Sequence, residues 1–287
     1  VSSQALKYGR VIGVELAWAW LSAGCRVTIV EALGRLTANL DRELSQGLTM
    51  ELKKAGAAVY TGASVLRVEP GPRGVFAHKG AELGLSADTV LTAAGRRPAT
   101  EGLFSPGAAP EMERGFLKVD GSFRTSVPSI LAIGDAVGGA MLAHKAEAEG
   151  KFAADVLLGR PPAQGLAPIP SCVYTDPELA QAGLTADEAK ARGIPIVTGK
   201  CVLGGNARTL IQGGKRGFVK LVFHKETGVL LGAQVCCCRA SDLISELALA
   251  LSLGLTAEQL LRPVRPHPTF AEAIPQAAEA GLEALGK

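Results

Sequence analysis

The sequence predicts an α/β fold followed by an α+β unit, on three observations. Over the first hundred residues, stretches of helical apolar spacing alternate with short β-branched runs, and a small layer of hairpin strands follows. At 129–150 (SILAIGDAVGGAMLAHKAEAEG) an apolar run stops at Gly134-Asp135, passes a Gly-rich turn and enters an amphipathic helix. Beyond a Pro-rich linker at 159–170, strand-like runs with flanking helices form a different unit.

Taken in order, 11–23 (VIGVELAWAWLSA) has helical spacing and Gly24 stops it. Residues 26–30 (RVTIV) form a β-branched run ending at Glu31, and 41–55 is a second amphipathic helix closed by Gly56. Short strands are expected at 57–60, 64–68 and 74–78, with Gly/Pro turns between them. Residues 88–93 (DTVLTA) read as a buried strand closed by Gly95-Arg96-Arg97-Pro98. Gly, Pro, Ala and Ser then dominate 100–114, a crossing between domains. Strands follow at 116–119 and 130–133, and a helix at 141–158. Beyond the linker, strands are expected at 171–174, 196–202, 217–223 and 229–235. Helices begin at Thr185 and Thr256 with capping boxes to Glu188 and Gln259, and others span 242–253 and 270–285.

The 287 residues suffice for two domains, and 47% of them are hydrophobic, enough for real cores. The formal charge is +3 with both signs interspersed, which offers no footprint for nucleic acid or a membrane surface. Lys53-Lys54 and Arg96-Arg97 are short enough to be solvated faces. No apolar run reaches the roughly 18 residues of a membrane span, and the first residues lack a signal peptide's apolar stretch. The six cysteines, Cys25, Cys172, Cys201, Cys236, Cys237 and Cys238, have neither a secreted-framework nor a metal-ligand spacing. The run of three lies in an apolar stretch and reads as buried free thiols. No metal is expected, and cytoplasm is the expected compartment.

Three motifs carry chemistry. Asp135 lies at the carboxyl end of an apolar run, where open α/β sheets bind ligands. The helix behind it begins with free N–H groups that favour phosphate. A simple N-cap explains Asp135 equally well on the motif alone. Second, Gly13, Val14 and Glu15 open a helix, with Glu31 ending the next strand. In a G-x-G-x-x-G fingerprint the first two glycines would fall at Tyr8 and Arg10, so only Gly13 fits. Third, Arg265-Pro266-His267-Pro268-Thr269-Phe270-Ala271-Glu272 holds a histidine before a helix. Thr269 and Glu272 there form a capping box. Asp176-Pro177-Glu178 reads as a turn ahead of a helix, and His78 as an exposed hairpin residue.

Together, A-x-G-D followed by M-L-A-H-K-A, VIGVELA…VTIVE and H-P-T-x-x-E resemble the pyridine nucleotide-disulfide oxidoreductases, in their dihydrolipoamide dehydrogenase branch. The resemblance implies an incomplete Rossmann-like NAD domain at 1–99 and the second part of a FAD domain at 100–165. An α+β dimerisation domain follows at 166–287. It implies FAD bound by Gly134, Asp135, Met141, Leu142, Ala143 and His144, the last through its backbone. It implies NAD beside Gly13, Val14, Glu15 and Gly95, with Val65 flanking the adenine and Glu31 accepting the adenosine ribose hydroxyls. A carboxylate at Glu31 would repel a 2′-phosphate, so NAD is expected over NADP. His267 would be the catalytic base, oriented by Glu272. The branch usually carries a second histidine where this sequence has Arg265.

The implied reaction oxidises a dihydrolipoyl dithiol and reduces NAD through a disulfide and FAD. An imidazole, with an ordinary pKa of roughly 6.5, suits the proton exchange. The implied partners are a second copy of the chain and a lipoyl-bearing protein of a 2-oxo acid dehydrogenase or related complex. Two departures stand out. The segment 1–6 (VSSQAL) resembles the stretch that precedes the first strand of the NAD domain, so that strand is expected to be missing. The family's Gly-rich flavin loop and its cysteine pair with four residues between them (C-x-x-x-x-C) have no counterpart, so a fragment or truncated form is expected. Glutathione reductase and mercuric reductase are alternatives within the family. A catalytically inactive dimerisation or interaction remnant is the alternative from another class.

Overall fold

The computed structural model describes residues 4–7, 11–105, 107–160, 166, 168–213 and 217–286. The chain divides into two units, Val1–Ala94 with Pro170–Lys287, and Gly95–Ile169. Among the described residues no helix is long and apolar enough to cross a membrane.

The first unit begins with β1 (Gln4–Lys7), α1 (Val11–Ser22), β2 (Arg26–Glu31), α2 (Arg42–Lys54) and β3 (Ala58–Thr61). An antiparallel layer of β4 (Ala63–Glu69), β5 (Arg73–His78) and β6 (Ala81–Ser86) follows, then the short β7 (Thr89–Val90). The parallel sheet has the order β3-β2-β1-β7. The expectation of a missing first strand is therefore wrong. Gln4–Lys7 pairs with Arg26 to Ile29 on one side, and Ala5 and Leu6 pair with Thr89 and Val90 on the other. A gap there would leave two rows of backbone groups unpaired, and residues just ahead of the helix fill it. Strand β2 is buried from Val27 to Glu31, as befits a parallel strand covered on both faces. At α2, Asp41 caps the N-terminus by accepting from Glu43 N at 2.9 Å, and Lys53 and Lys54 complement the dipole at the other end.

The second unit holds β8 (Met112–Glu113), β9 (Phe116–Leu117), a 3-10 turn at Gly134–Val137 and α3 (Ala143–Leu157). The strand expected at 130–133 is reduced to a single bridge, Leu131 to Arg124. Its backbone is used locally: Ile130 N donates to Val127 O, Thr125 N donates to Ile130 O, and Ala132 N donates to Phe123 O. Phe123 and Phe152 meet edge to face, with ring centres 5.4 Å apart, and anchor α3 on this turn-rich segment.

The chain then returns to the first unit with β10 (Ser171–Val173), β11 (Glu178–Gly183), α4 (Ala186–Ala191), β12 (Ile196–Val202), α5 (Ala207–Ile211), β13 (Phe218–His224) and β14 (Leu230–Cys237). Helices α6 (Ala240–Ser252) and α7 (Ala257–Leu260), a 3-10 turn at Phe270–Glu272, and α8 (Ala273–Leu285) complete it. The five strands form an antiparallel sheet ordered β10-β11-β14-β13-β12. The helix expected after Asp176-Pro177-Glu178 is instead β11, because Leu179, Ala180 and Ala182 are buried in pairing with β14. Strands β6 and β8 and helix α5 also have no counterpart among the elements expected from the sequence.

Leu221, Phe223, Val235, Ile244, Leu247 and Ile274 form the heart of the core under α6 and α8. Fully burying each large side chain is worth roughly 1.5–3 kcal/mol against leaving it exposed. Helix α8 lies close on β12 because Gly199 faces it; a Cβ at Gly199 would collide with Ala277 O and Gly281 N. That contact fixes the helix that begins just after His267. A second core joins Val14, Ile29, Leu44 and Leu48 of the parallel half to Val173, Leu179 and Cys236 of the antiparallel half. Polar contacts follow the same seam. Asp41 N donates to Gln181 Oε1 at 2.8 Å, and Lys220 Nζ lies 2.8 Å from Asp41 Oδ1 and 2.9 Å from Glu43 Oε1.

Candidate functional site

His267 sits in the loop between α7 and the 3-10 turn, followed by a cis His267–Pro268 bond. Its Nδ1 is 2.8 Å from Glu272 Oε1, and Glu272 Oε2 accepts from Thr269 N at 2.8 Å. The Thr269 backbone N–H and then His267 hold the Glu272 carboxyl below the ordinary carboxylate range. An ionised carboxylate only accepts, so His267 Nδ1 carries the proton and Nε2 presents its lone pair. The imidazole is 70% exposed, which leaves Nε2 open to a ligand. The loop is tied down from beneath by Arg265. Its guanidinium is buried, bonded to Glu246 Oε1 at 2.6 Å and to Leu260 O and Pro263 O at 3.1 Å. An open groove of about 430 Å³ borders this loop, lined by Arg208, Arg239, Asp242, Glu246, Thr269 and Phe270.

In the second unit, Asp135 lies within the 3-10 turn and pairs with Arg96 at 3.3 Å. It does not cap α3, whose N-cap position is Leu142. Gly134, Gly138 and Gly139 all have positive φ, at 69°, 80° and 72°. A Cβ at Gly134 would stand 3.0 Å from Ala146 Cβ, so only glycine lets the turn lie this close to the helix. Met141 and Leu142 lead into α3, and Ala143 and His144 open its first turn on the exposed side. Gly95, with φ 136°, begins the same unit.

In the first unit, Gly13 and Val14 are buried in the first turn of α1. Tyr8, Gly9 and Arg10 lie outside the described residues. Glu15 Oε1 accepts from Tyr174 N at 2.9 Å, tying α1 to the strand that opens the antiparallel sheet. Glu31 is buried at the carboxyl end of β2, and its Oε1 accepts from Leu33 N at 2.8 Å. Val65 is half-buried on β4 beside the small cluster of Val30, Ala63 and Phe76. His78 is half-buried, its ring edge-on to Tyr60 at 5.4 Å, not exposed as expected.

Residues 9–150 match the pyridine nucleotide-disulphide oxidoreductase family, and residues 169–278 match that family's dimerisation domain. The chain belongs to the pyridine nucleotide-disulphide oxidoreductases. Dihydrolipoyl dehydrogenase of Geobacillus stearothermophilus is 40% identical over 278 residues, 96% of this chain and 59% of that protein. The same enzyme of Chlorobaculum tepidum is 39% identical over 283 residues, 97% of this chain and 60% of that protein. The chain thus spans about three fifths of these relatives' length. Among solved structures, an HOCl-induced flavoprotein disulfide reductase of Escherichia coli superposes with a TM-score of 0.87 at 26% identity, over 96% of this chain and 64% of that one. LpdA of Mycobacterium tuberculosis gives 0.85 at 27%, over 97% and 61%.

A Cβ at Gly134, Gly138 or Gly139 would meet Ala146, Phe116 or Lys145, so glycine lets this turn pack close on its neighbours, and Asp135 leaves a part-exposed carboxylate at its edge that could accept from a flavin's sugar hydroxyls. The sequence reading named His267, Glu272 and Asp135 but missed what holds them. Arg265 was noted only as a departure. Lys145 and Glu149, spaced one helical turn apart, were readable as a pair, but nothing in the spacing shows that both are buried.

Proposed function

We propose that the chain is the nicotinamide, partial flavin and dimerisation portion of a dihydrolipoyl dehydrogenase-type enzyme. In that reaction a dihydrolipoyl dithiol becomes a disulfide, and NAD⁺ becomes NADH with release of one proton. FAD, when bound, would relay the electron pair. His267 would accept the thiol proton at Nε2, while Glu272 holds the Nδ1–H tautomer and keeps the ring in place. The observation that carries the reading is the shared carboxylate, with one oxygen on His267 Nδ1 and one on Thr269 N. The likeness at 39–40% identity to curated dihydrolipoyl dehydrogenases supports it.

Asp135 and Gly134 would receive the flavin's polar arm, with Met141, Leu142, Ala143 and His144 along it. Gly13, Val14, Glu15, Glu31, Val65 and Gly95 would receive NAD. Domain limits of 1–99, 100–165 and 166–287 are proposed on the same resemblance. The match of 169–278 to a dimerisation domain supports a homodimer, and a lipoyl-bearing protein is the proposed partner. The six free thiols suit a reducing compartment, so the proposed location is the cytoplasm. Burial pushes Cys236 and Cys237 up to about 12, so neither is an available thiolate.

The test is an assay of the complete protein from its own cells. Dihydrolipoamide should drive NADH formation, and His267→Ala should lower the rate by roughly 10²–10⁴-fold. A preference for glutathione with NADP would overturn the reading. A colourless protein without any activity would favour an inactive remnant.

A further inference from the structure

We infer that Lys145 and Glu149 are the positioning pair of the Asp135 turn, setting the glycine-lined loop before any ligand arrives. Its purpose rests on the flavin reading above, whereas the clamp itself rests on geometry. The two residues lie one turn apart on α3, with Lys145 Nζ 2.6 Å from Glu149 Oε1 and side chains only 8% and 5% exposed. Removing two charges from water is costly. An exposed pair at the same spacing would support the helix without that cost. Burial therefore serves something besides the helix.

Each partner also bonds the same loop. Glu149 Oε2 accepts from Gly134 N at 2.7 Å, and Lys145 Nζ donates to Gly138 O at 3.1 Å. Gly134 opens the 3-10 turn that carries Asp135, and Gly138 closes it. The pair spans the turn and pins both ends. The loop needs this because it is built from glycines at positive φ, which lose the most conformational freedom on ordering. The glycines that let the turn pack this close on Ala146 and Phe116 are the ones least able to hold their shape. Fixing them in advance lowers the cost of binding.

A merely structural ion pair needs only its two charges. A clamp needs an acceptor for Gly134 N. Two double variants separate these roles: Lys145→Met/Glu149→Gln and Lys145→Met/Glu149→Met. Both remove the buried charges at similar volume, and only the first keeps an acceptor at 149. Hydrogen exchange of the Gly134 amide in the full chain should be roughly tenfold faster in the second variant than in the first, the order expected for one lost buried hydrogen bond. The Val219 amide, deep in the antiparallel sheet, should exchange alike in both. Equal exchange at Gly134 overturns the clamp. Should either variant unfold, the wild-type chain decides: a scalar coupling across the hydrogen bond from Gly134 ¹⁵N to the Glu149 carboxylate carbon supports the clamp, and its absence overturns it.

Titration with FAD, followed by quenching of flavin fluorescence, forms a separate arm. Roughly tenfold weaker binding by the second variant than by the first supports preorganisation. Equal binding overturns it. No quenching with the wild-type chain overturns the flavin reading and leaves the exchange data to judge the clamp.

Discussion

His267 Nδ1 and Glu272 Oε1 stand 2.8 Å apart, while the second oxygen of the same carboxylate accepts from Thr269 N. The sequence left Glu272 with two competing roles, helix cap and orienter of the histidine. Both are filled at once because a carboxylate has two oxygens. The His loop and the helix start are thereby one hydrogen-bonded unit.

Glu272→Gln separates the two roles. A glutamine can keep its oxygen on Thr269 N, since Gln serves in the same capping box. Its NH₂ then faces His267 Nδ1 and makes that nitrogen an acceptor. The proton should move to Nε2, visible as exchanged ¹⁵N shifts of the two ring nitrogens in the neutral imidazole. The melting temperature should change little. An unaltered tautomer would mean that Glu272 acts only as a cap.

Acid should weaken the fold through two carboxylates. At Glu43, burial raises the pKa, but hydrogen bonds from Lys200 and Lys220 outweigh it, so the net shift is downward. Glu272 is also lowered, by Thr269 N–H and then His267. For a depressed carboxyl the folded state binds its proton less readily than the unfolded state. The stabilisation is complete above the ordinary glutamate range near 4.5 and is lost as pH falls through the lower folded values. Urea midpoints should hold steady from pH 7 to about pH 5 with respect to these groups and fall below pH 4. Glu43→Gln should flatten part of that fall; an identical acid profile in the variant would remove Glu43 from the account.

The sequence announced whatever depends on local spacing. The amphipathic α2, the β-branched β2 and the capping boxes at Thr185 and Thr256 all lie within single short windows. So does H-P-T-x-x-E, whose His and Glu meet because only five positions separate them. What stayed hidden depends on distant partners. Gln4–Lys7 has no strand pattern of its own and is a strand because β2 and β7 flank it. The apolar run at 130–133 looked like a strand, yet its backbone bonds stay within a local turn. Lys220 looks like a solvent-facing residue in an apolar strand, but its partner Asp41 lies 179 positions away.

Nucleotide choice should follow Glu31. Its carboxylate is buried at the carboxyl end of β2, held by Leu33 N–H. A 2′-phosphate beside it would meet like charge without water to screen it. NAD should therefore bind at least tenfold more tightly than NADP, a difference of about 1.4 kcal/mol. Calorimetry on the complete protein reads this directly. Equal or tighter binding of NADP would remove Glu31 from the site.

Lys220 should be the most sensitive single position along the seam of the first unit. Its ammonium bonds Asp41 Oδ1 at 2.8 Å and Glu43 Oε1 at 2.9 Å, and the Lys220 and Asp41 side chains are both almost wholly buried. Asp41 Oδ1 also accepts from Glu43 N as the cap of α2, so its carboxylate cannot turn to water without undoing the helix start. Lys220→Met leaves that charge buried and uncompensated, at a cost of about 3–5 kcal/mol. Asp41→Asn keeps a good N-cap and leaves Lys220 with Glu43, so it should cost less, about 1–2 kcal/mol. The two residues touch, so their effects should not add, and the double variant should recover part of the Lys220→Met loss. Urea unfolding of the four proteins measures the cycle. A Lys220→Met chain within about 1 kcal/mol of wild type would show that water reaches the pair and that the seam is held by its apolar core alone.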